Sequence, residues 1–531
     1  MKILIAEPVS SAGLDLFKAH PSWEVVVSNP KEYLEHLPTA DALLVRSAVK
    51  VNKDVLAKAP KLRVIGRAGV GVDNVDLKEA TAAGVLVMNT PGGNAISVAE
   101  HTVGLMLGLA RSIPQASVST KSGKWEKKKF LGSELRGKTL GVIGLGSAGR
   151  EVVKRAKSFE MKIIAHDPYV STQAAADVGV EKLVDLSTLY AQSDYITLHM
   201  ALTPETENLL SAAAFAQMKD GVRIVNVARG ELIDGEALNA AIASGKVAGA
   251  GLDVFRKEPP APENPLLAQE NLIATPHIGG STEEAQEIVG LRISQQVIEY
   301  LITGIAINAV NMPALSPDQY KALGPYVDLA ERLGNFAAHV STGNPSSVRI
   351  TYFGKIADSN TNLLRNGAVA GVLNRSLSRK ANLVNALQLA TDRGWTIQER
   401  NEKRISHADT IRIELDSDSG TTTVEGAVVL DKPRLVQVDG IYCEAPLAGH
   451  LTFLKNEDVP GVIGYLGNVM GRNGINIANF SLGRQDLTPS EDTPLEAVSV
   501  IETDQVVPDA VLVELLKNTA VRMARSVEFT N

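Results

Sequence analysis

Residues 137–169 read GKTLGVIGLGSAGREVVKRAKSFEMKIIAHDPY, and no other stretch restricts the fold as tightly. Thr139 to Leu145 is an apolar run suited to a buried parallel strand. Gly144, Gly146 and Gly149 follow in G-x-G-x-x-G spacing, where a strand would turn into a helix. Each glycine answers a different demand. Gly144 permits the tight turn, Gly146 lets the backbone of Ser147 and Ala148 approach a pyrophosphate, and Gly149 lets the helix pack closely on its strand. An anion placed there meets free N–H groups and the positive end of the helix dipole. A second apolar run, Lys162 to Ala165, leads to Asp167, about 20 residues on, where a carboxylate can accept from both ribose hydroxyls of an adenosine. The expected cofactor is NAD, because a 2′-phosphate would meet a negative charge.

A chain of 531 residues is long enough for several domains. From Lys2 to Thr90, short apolar runs alternate with helical stretches, the pattern of a small α/β domain with parallel strands. Arg46 and Arg67 fall at strand ends there, where open α/β sheets present ligand-binding groups. Asn94 to Ser117 reads as one long buried helix, with His101 a packed helix residue. After Asp167 the alternation resumes. Strands are expected at Tyr195 to His199, Arg223 to Ala228, Val247 to Val254 and Asn271 to Thr275, with helices near Glu181, Ala212 and Gly235, which makes a six-stranded doubly wound domain. Ser281 to Thr303 reads as a long helix that returns to the first domain and ends in the strand-like IAINAVN.

The expected fold class is α/β: two doubly wound Rossmann-like domains, then an α+β domain and a ferredoxin-like βαββαβ domain. The expected boundaries are 1–97 with 283–312 for a discontinuous first domain, 98–282 for the nucleotide domain, 315–448 for the third and 449–531 for the last.

Composition removes several alternatives. With 53 Lys plus Arg against 60 Asp plus Glu, the net charge is −7, so neither a nucleic acid nor a membrane surface is an expected partner. An anionic substrate would need local arginines. Cys443 is the single cysteine, which excludes an intrachain disulfide or a cysteine-based metal site and fits a reducing compartment. The N-terminus enters a strand pattern directly, and no later run is apolar enough to span a bilayer. A cytoplasmic protein is expected.

Three polar residues follow consecutive strands of the nucleotide domain: Arg229 in NVARG, Glu258 in RKEPPAPENP and His277 in ATPHIGGS. Strand carboxyl ends face the cofactor crevice in such sheets. Removing a hydride from a 2-hydroxy acid requires a base for the hydroxyl proton, and histidine titrates in the useful range. A glutamate beside it would stabilise imidazolium, and an arginine can fork onto the substrate carboxylate. Asp253, in GLDVF, could lie in the same crevice near the nicotinamide amide. No metal site is expected, because His199 and His277 lack H-E-x-x-H or C-x-x-C partners. No G-x-S-x-G elbow supports a serine nucleophile.

The motifs VRSAVKV, GRAGVGVDN, GLGSAGRE, NVARGELID, GLDVF, KEPP, PHIGGST and the terminal NEDVPGVIGYLG with NGINIANFSLGR resemble those of the D-isomer-specific 2-hydroxyacid dehydrogenases, in their long form. The resemblance implies oxidation of 3-phospho-D-glycerate to 3-phosphooxypyruvate with NAD, the first step of L-serine biosynthesis. It implies His277 as acid/base catalyst, Glu258 as its partner and Arg229 as carboxylate clamp. It implies cofactor contacts at Ser147, Ala148, Asp167, Met200, Val227, Arg229, Asp253, His277, Gly279 and Gly280, and substrate contacts at Arg46, Arg67 and Asn94. Val70 and Met200 stand where the family often has a hydroxyl residue. The C-terminal βαββαβ segment resembles an ACT domain, which implies L-serine as effector, with Asp458 and Asn476 as ligand positions. Residues 315–448 resemble the intervening domain of long-form enzymes, a possible second effector site. A homotetramer is implied.

The nearest alternative is a glyoxylate or hydroxypyruvate reductase, which the long C-terminal half argues against. A non-enzymatic NAD-sensing corepressor predicts a disordered tail in place of an ACT-like end.

Overall fold

The computed structural model describes residues 1–377, 380–402, 409–486 and 495–529. Near the N-terminus, β1 (Lys2–Ile5), β2 (Glu24–Val27), β3 (Ala42–Val45), β4 (Val64–Arg67) and β5 (Leu86–Met88) form a parallel sheet in the order β2-β1-β3-β4-β5. The helix Glu283–Thr303 covers one face of it. Ile293 and Val297 of that helix lie so close to β4 that a side chain at Gly66 would collide with both. The segment after this helix makes only an isolated bridge, Met88 to Ala309, where a strand was expected. Asn311 explains the arrest: its side chain takes the Val87 N–H and donates to Val85 carbonyl, replacing the ladder a strand would form.

The nucleotide domain holds seven parallel strands, not six. They are β6 (Thr139–Ile143), β7 (Lys162–His166), β8 (Lys182–Leu183), β9 (Tyr195–Leu198), β10 (Val222–Asn226), β11 (Val247–Leu252) and β12 (Leu272–Ala274), in the order β12-β11-β10-β9-β6-β7-β8. The additional strand is β8, two residues long, directly after Glu181, and the helix expected near there follows it at Leu186–Gln192. So short an edge strand carries no readable periodicity. The chain order reverses on either side of β6, between β7 and β9, the switch point at which open sheets bind ligands. The expected single helix from Asn94 divides into Ala95–Arg111 and Ile113–Lys121. Ser112 between them is left-handed, with φ 48°, and Pro114 opens the second piece because proline cannot continue the first.

Beyond the helix Pro317–Val340, a six-stranded sheet is built from β13 (Pro345–Phe353), β14 (Thr396–Glu402), β15 (Thr410–Ser417), β16 (Gly420–Val429), β17 (Lys432–Val438) and β18 (Ile441–Pro446). The helices Pro317–Val340 and Asn362–Leu373 cross at backbone contact. A methyl at Gly334 or Gly371 would lie 2.1 or 2.0 Å from a carbonyl oxygen of the other helix, so the glycines set this spacing.

The last sheet comprises β19 (Gly449–Glu457), β20 (Ile477–Arg484), β21 (Glu496–Thr503) and β22 (Val521–Phe529), antiparallel in the order β20-β21-β19-β22. With helices Val462–Arg472 and Asp509–Leu515 on one face, this is the split βαβ arrangement. Its other face packs on the third region. Phe453 meets Phe336 edge-on at 5.7 Å, and the Arg332 guanidinium lies 5.6 Å from the Phe529 ring. No helix among the described residues is long and apolar enough to cross a membrane.

Candidate active site

The three glycines of the β6 turn behave differently from one another. Gly144 has φ +94° and its backbone abuts His199, so a side chain would strike the His199 carbonyl at 2.6 Å. At Gly149 a methyl would lie 2.1 Å from the Gly144 carbonyl oxygen, which brings the helix Ser147–Ser158 directly onto the turn. A methyl at Gly146 meets nothing within 4 Å. The open side of the turn is therefore a cradle at a helix N-terminus, of the kind a pyrophosphate fills. Asp167 reaches back to it from the end of β7. One carboxylate oxygen accepts from Leu145 N at 2.8 Å and the other from Tyr169 N at 2.9 Å, leaving lone pairs on both for ribose hydroxyls. These residues fit a dinucleotide. Met200 and Val227 border the same crevice; Met200 packs by its thioether chain against the core of the sheet, and Val227 lies against Gly279.

Across the crevice, β10, β11 and β12 deliver Arg229, Glu258 and His277 from the loops at their carboxyl ends. His277 Nδ1 is 2.7 Å from Glu258 Oε2, and the other Glu258 oxygen accepts from Phe255 N at 3.0 Å. That contact aims the glutamate and leaves Nε2 of His277 free for a substrate. A cavity of ≈ 360 Å³ adjoins the pair, walled by Phe255, Pro259, Leu267 and Pro276.

Arg229 spans the two parallel-sheet domains. Its Nε and Nη2 donate to Asp73 Oδ2 at 3.0 and 2.7 Å, and its Nη1 donates to Ala228 carbonyl at 2.7 Å. Burial alone would raise the Asp73 carboxyl, but the charge and hydrogen bond of Arg229 outweigh it and hold the group below the ordinary carboxylate range. Arg67 lies nearby, mostly buried. Its pKa is pulled down to about 10, first by burial and then by the charge of Arg229, and its Nε is buried without a partner. A guanidinium in that state is set up to receive an anion. Arg46 joins the same electrostatic cluster. Its loop is tied down by the buried Glu7 carboxylate, which accepts from the backbone N–H of Arg46, Ala48 and Val49. Asn94 stands at the N-cap position of the helix Ala95–Arg111 and its side-chain amide lies against Gly280, so its loop and the His277 loop meet there.

Asp253, expected in the crevice near the nicotinamide amide, is 1% exposed, and its carboxylate accepts from Thr275 Oγ1 at 2.5 Å, Ile278 N at 2.9 Å and Gly279 N at 2.8 Å. One expectation requires correction. His101 was expected to be plain packing, yet its Nε2 lies 3.0 Å from Thr275 Oγ1 and 3.3 Å from Asp253 Oδ1. The sequence reading assigned no role to Glu7, Asp73 or Thr275. Asp73 sits in GRAGVGVDN, and its contact with Arg229 spans 156 residues, which no local pattern reveals.

Asp458 and Asn476 are not brought together by one chain. Asp458 follows the end of β19 paired with Glu496, whereas Asn476 precedes β20 beside Thr503, so the eight-residue β21 separates them by roughly 25 Å. Asp458 faces Arg484 at 3.5 Å, and Asn476 donates to Asp504 at 2.8 Å.

A doubly wound nucleotide domain, a second parallel domain across a cleft, and an Arg, Glu and His trio at the strand ends define an NAD-dependent oxidoreductase of the 2-hydroxyacid type. Residues 103–279 match the D-isomer specific 2-hydroxyacid dehydrogenase NAD binding domain, and residues 322–439 match the D-3-phosphoglycerate dehydrogenase intervening domain. The D-3-phosphoglycerate dehydrogenase of Archaeoglobus fulgidus is 42% identical over 533 residues, covering 99% of this chain and 100% of that one. The Bacillus subtilis enzyme of the same name is 38% identical, covering 97% and 99%. The chain belongs to the D-3-phosphoglycerate dehydrogenase family. Among solved structures, NAD-dependent formate dehydrogenase from Staphylococcus aureus in complex with NAD shares 28% identity at TM-score 0.53, over 58% of this chain and 99% of that one.

Proposed function

We propose that this protein oxidises 3-phospho-D-glycerate to 3-phosphooxypyruvate, the first step of L-serine biosynthesis. The observation that carries the reading is the His277–Glu258 pair facing a cleft whose opposite wall holds Arg46 and Arg67, whose buried Nε has no partner. The Gly146 cradle and Asp167 would hold NAD, which would supply the hydride acceptor. Glu258 accepts the Nδ1 proton of His277, so Nε2 carries the lone pair that takes the C2 hydroxyl proton. Arg229 holds the carboxylate beside the reacting carbon. Arg46 and Arg67 receive the phosphate, and Asn94 orients the substrate between the two loops.

The test is NADH formation from 3-phospho-D-glycerate, with phosphooxypyruvate reduction, D-lactate, D-glycerate and 2-oxoglutarate run beside it. Turnover confined to the phosphorylated pair supports the reading. Turnover of the unphosphorylated acids alone would overturn the substrate and leave the mechanism standing.

L-serine as effector, a homotetramer and a cytoplasmic location complete the proposal. A lone, buried Cys443 agrees with a reducing compartment. Because Asp458 and Asn476 lie at opposite ends of one sheet, a serine site using both needs two copies of the domain. Absence of serine binding, together with activity flat against added serine, would remove the effector role.

A further inference from the structure

His277 is held in a conformation it would not adopt alone. Its φ is +55°, in the left-handed region that non-glycine residues rarely occupy, and its N–H donates to Asp253 carbonyl at 2.9 Å. The Asp253 carboxylate grips the chain on both sides of it, through Thr275 before and the Ile278 and Gly279 amides after. Among the described residues, His101 is the one group outside these two loops that bonds this carboxylate. It comes from the helix Ala95–Arg111, 174 residues away from Thr275 in sequence.

Proton accounting sets its tautomer. The Thr275 hydroxyl spends its hydrogen on Asp253, so toward His101 its oxygen can only accept. Asp253 is an acceptor as well. Its carboxyl lies below the ordinary range: burial alone would raise it, but the hydrogen bonds of His101, Thr275 and the two amides prevail. Nε2 of His101 must therefore carry a proton, shared between Thr275 Oγ1 at 3.0 Å and Asp253 Oδ1 at 3.3 Å.

We propose that His101 is a positioning residue for the proton-transfer group: its Nε2–H anchors the Asp253 carboxylate, which pins the left-handed loop that aims His277 at the cleft. The inference rests on the reading of His277 as acid/base. Without the His101 donor, Asp253 loses its tie to the helix, and the 275–280 loop is free to drift by the fraction of an ångström that proton transfer does not tolerate.

The experiment compares full-length His101→Ala, His101→Gln and His277→Ala by steady-state kinetics with 3-phospho-D-glycerate and by amide hydrogen–deuterium exchange of residues 275–280. Glutamine can return an N–H donor near the Nε2 position; alanine cannot. The expected result for His101→Ala is a kcat loss of roughly tenfold to a hundredfold with KM little changed, and faster exchange at Ile278 and Gly279. His101→Gln should recover most of both. Wild-type kcat and exchange in His101→Ala, beside an inactive His277→Ala, would overturn the anchor alone. Equal losses in the alanine and glutamine variants would assign His101 to packing and also overturn it. Full turnover in His277→Ala would overturn the reading on which the anchor depends.

Discussion

Asp73 and Arg229 close the cleft from opposite walls, Oδ2 to Nη2 at 2.7 Å and to Nε at 3.0 Å, one residue from each parallel-sheet domain. The arginine that would hold a substrate carboxylate thus already holds a protein carboxylate. Substrate must compete with Asp73 for it.

Asp73→Asn removes that competing charge while keeping the shape. KM for 3-phospho-D-glycerate should fall by roughly twofold to fivefold, the scale of a partly exposed ion pair of up to about 1 kcal/mol. Initial-rate measurements at fixed NAD decide it, and an unchanged or higher KM would show that the pair orients Arg229 without competing.

For the proposed acid/base pair, His277→Ala should reduce kcat by roughly 10²- to 10⁴-fold with NADH binding intact by fluorescence titration. Glu258→Gln keeps the hydrogen-bonding shape but loses the charge behind Nδ1, so its loss should be smaller and confined to kcat. A variant that lost NADH binding instead would place these residues on the cofactor.

Asp167, the residue proposed to hold the adenosine ribose, also accepts from Leu145 N and Tyr169 N at the turn. Asp167→Ala should raise KM for NAD about tenfold or more and narrow the preference for NAD over NADP. Preference retained in that variant would locate discrimination elsewhere.

His199 underlies the glycine turn, with its Nε2 2.9 Å from Thr197 Oγ1, and burial pushes its imidazole down to about 4 from an ordinary 6.5. Below about pH 6.5 the unfolded chain takes up a proton that the folded protein refuses. Stability from this group is full above that pH and is lost between about 6.5 and 4, by at most about 3 kcal/mol. Thermal melts from pH 7.5 to 4.5 should show the decline, and His199→Asn should flatten it. Parallel curves for the two proteins would rule this group out as the cause.

Much of the site is legible in the sequence because its signals are local. The glycines at 144, 146 and 149 lie within six residues, and Arg229, Glu258 and His277 each follow an apolar strand run, so the strand order puts them at one edge of the sheet. The βαββαβ order near the C-terminus is legible for the same reason. The two-residue β8 and the arrested strand at Ala309 are not: one is too short for any period, and the other is cancelled by the Asn311 side chain.

Sequence by itself determined the nucleotide turn, the order of strands and helices, and which residue types end those strands, since each depends on neighbours a few positions apart. Tertiary structure alone decided the pairing of Asp73 with Arg229, the Glu7 tie beneath Arg46, the His101 contact to Asp253 and Thr275, and the distance between Asp458 and Asn476. Those relationships join residues that chain order leaves far apart or, for Asp458 and Asn476, separate residues that chain order leaves near. Each depends on how whole elements cross and pair, and no periodicity in the chain records it.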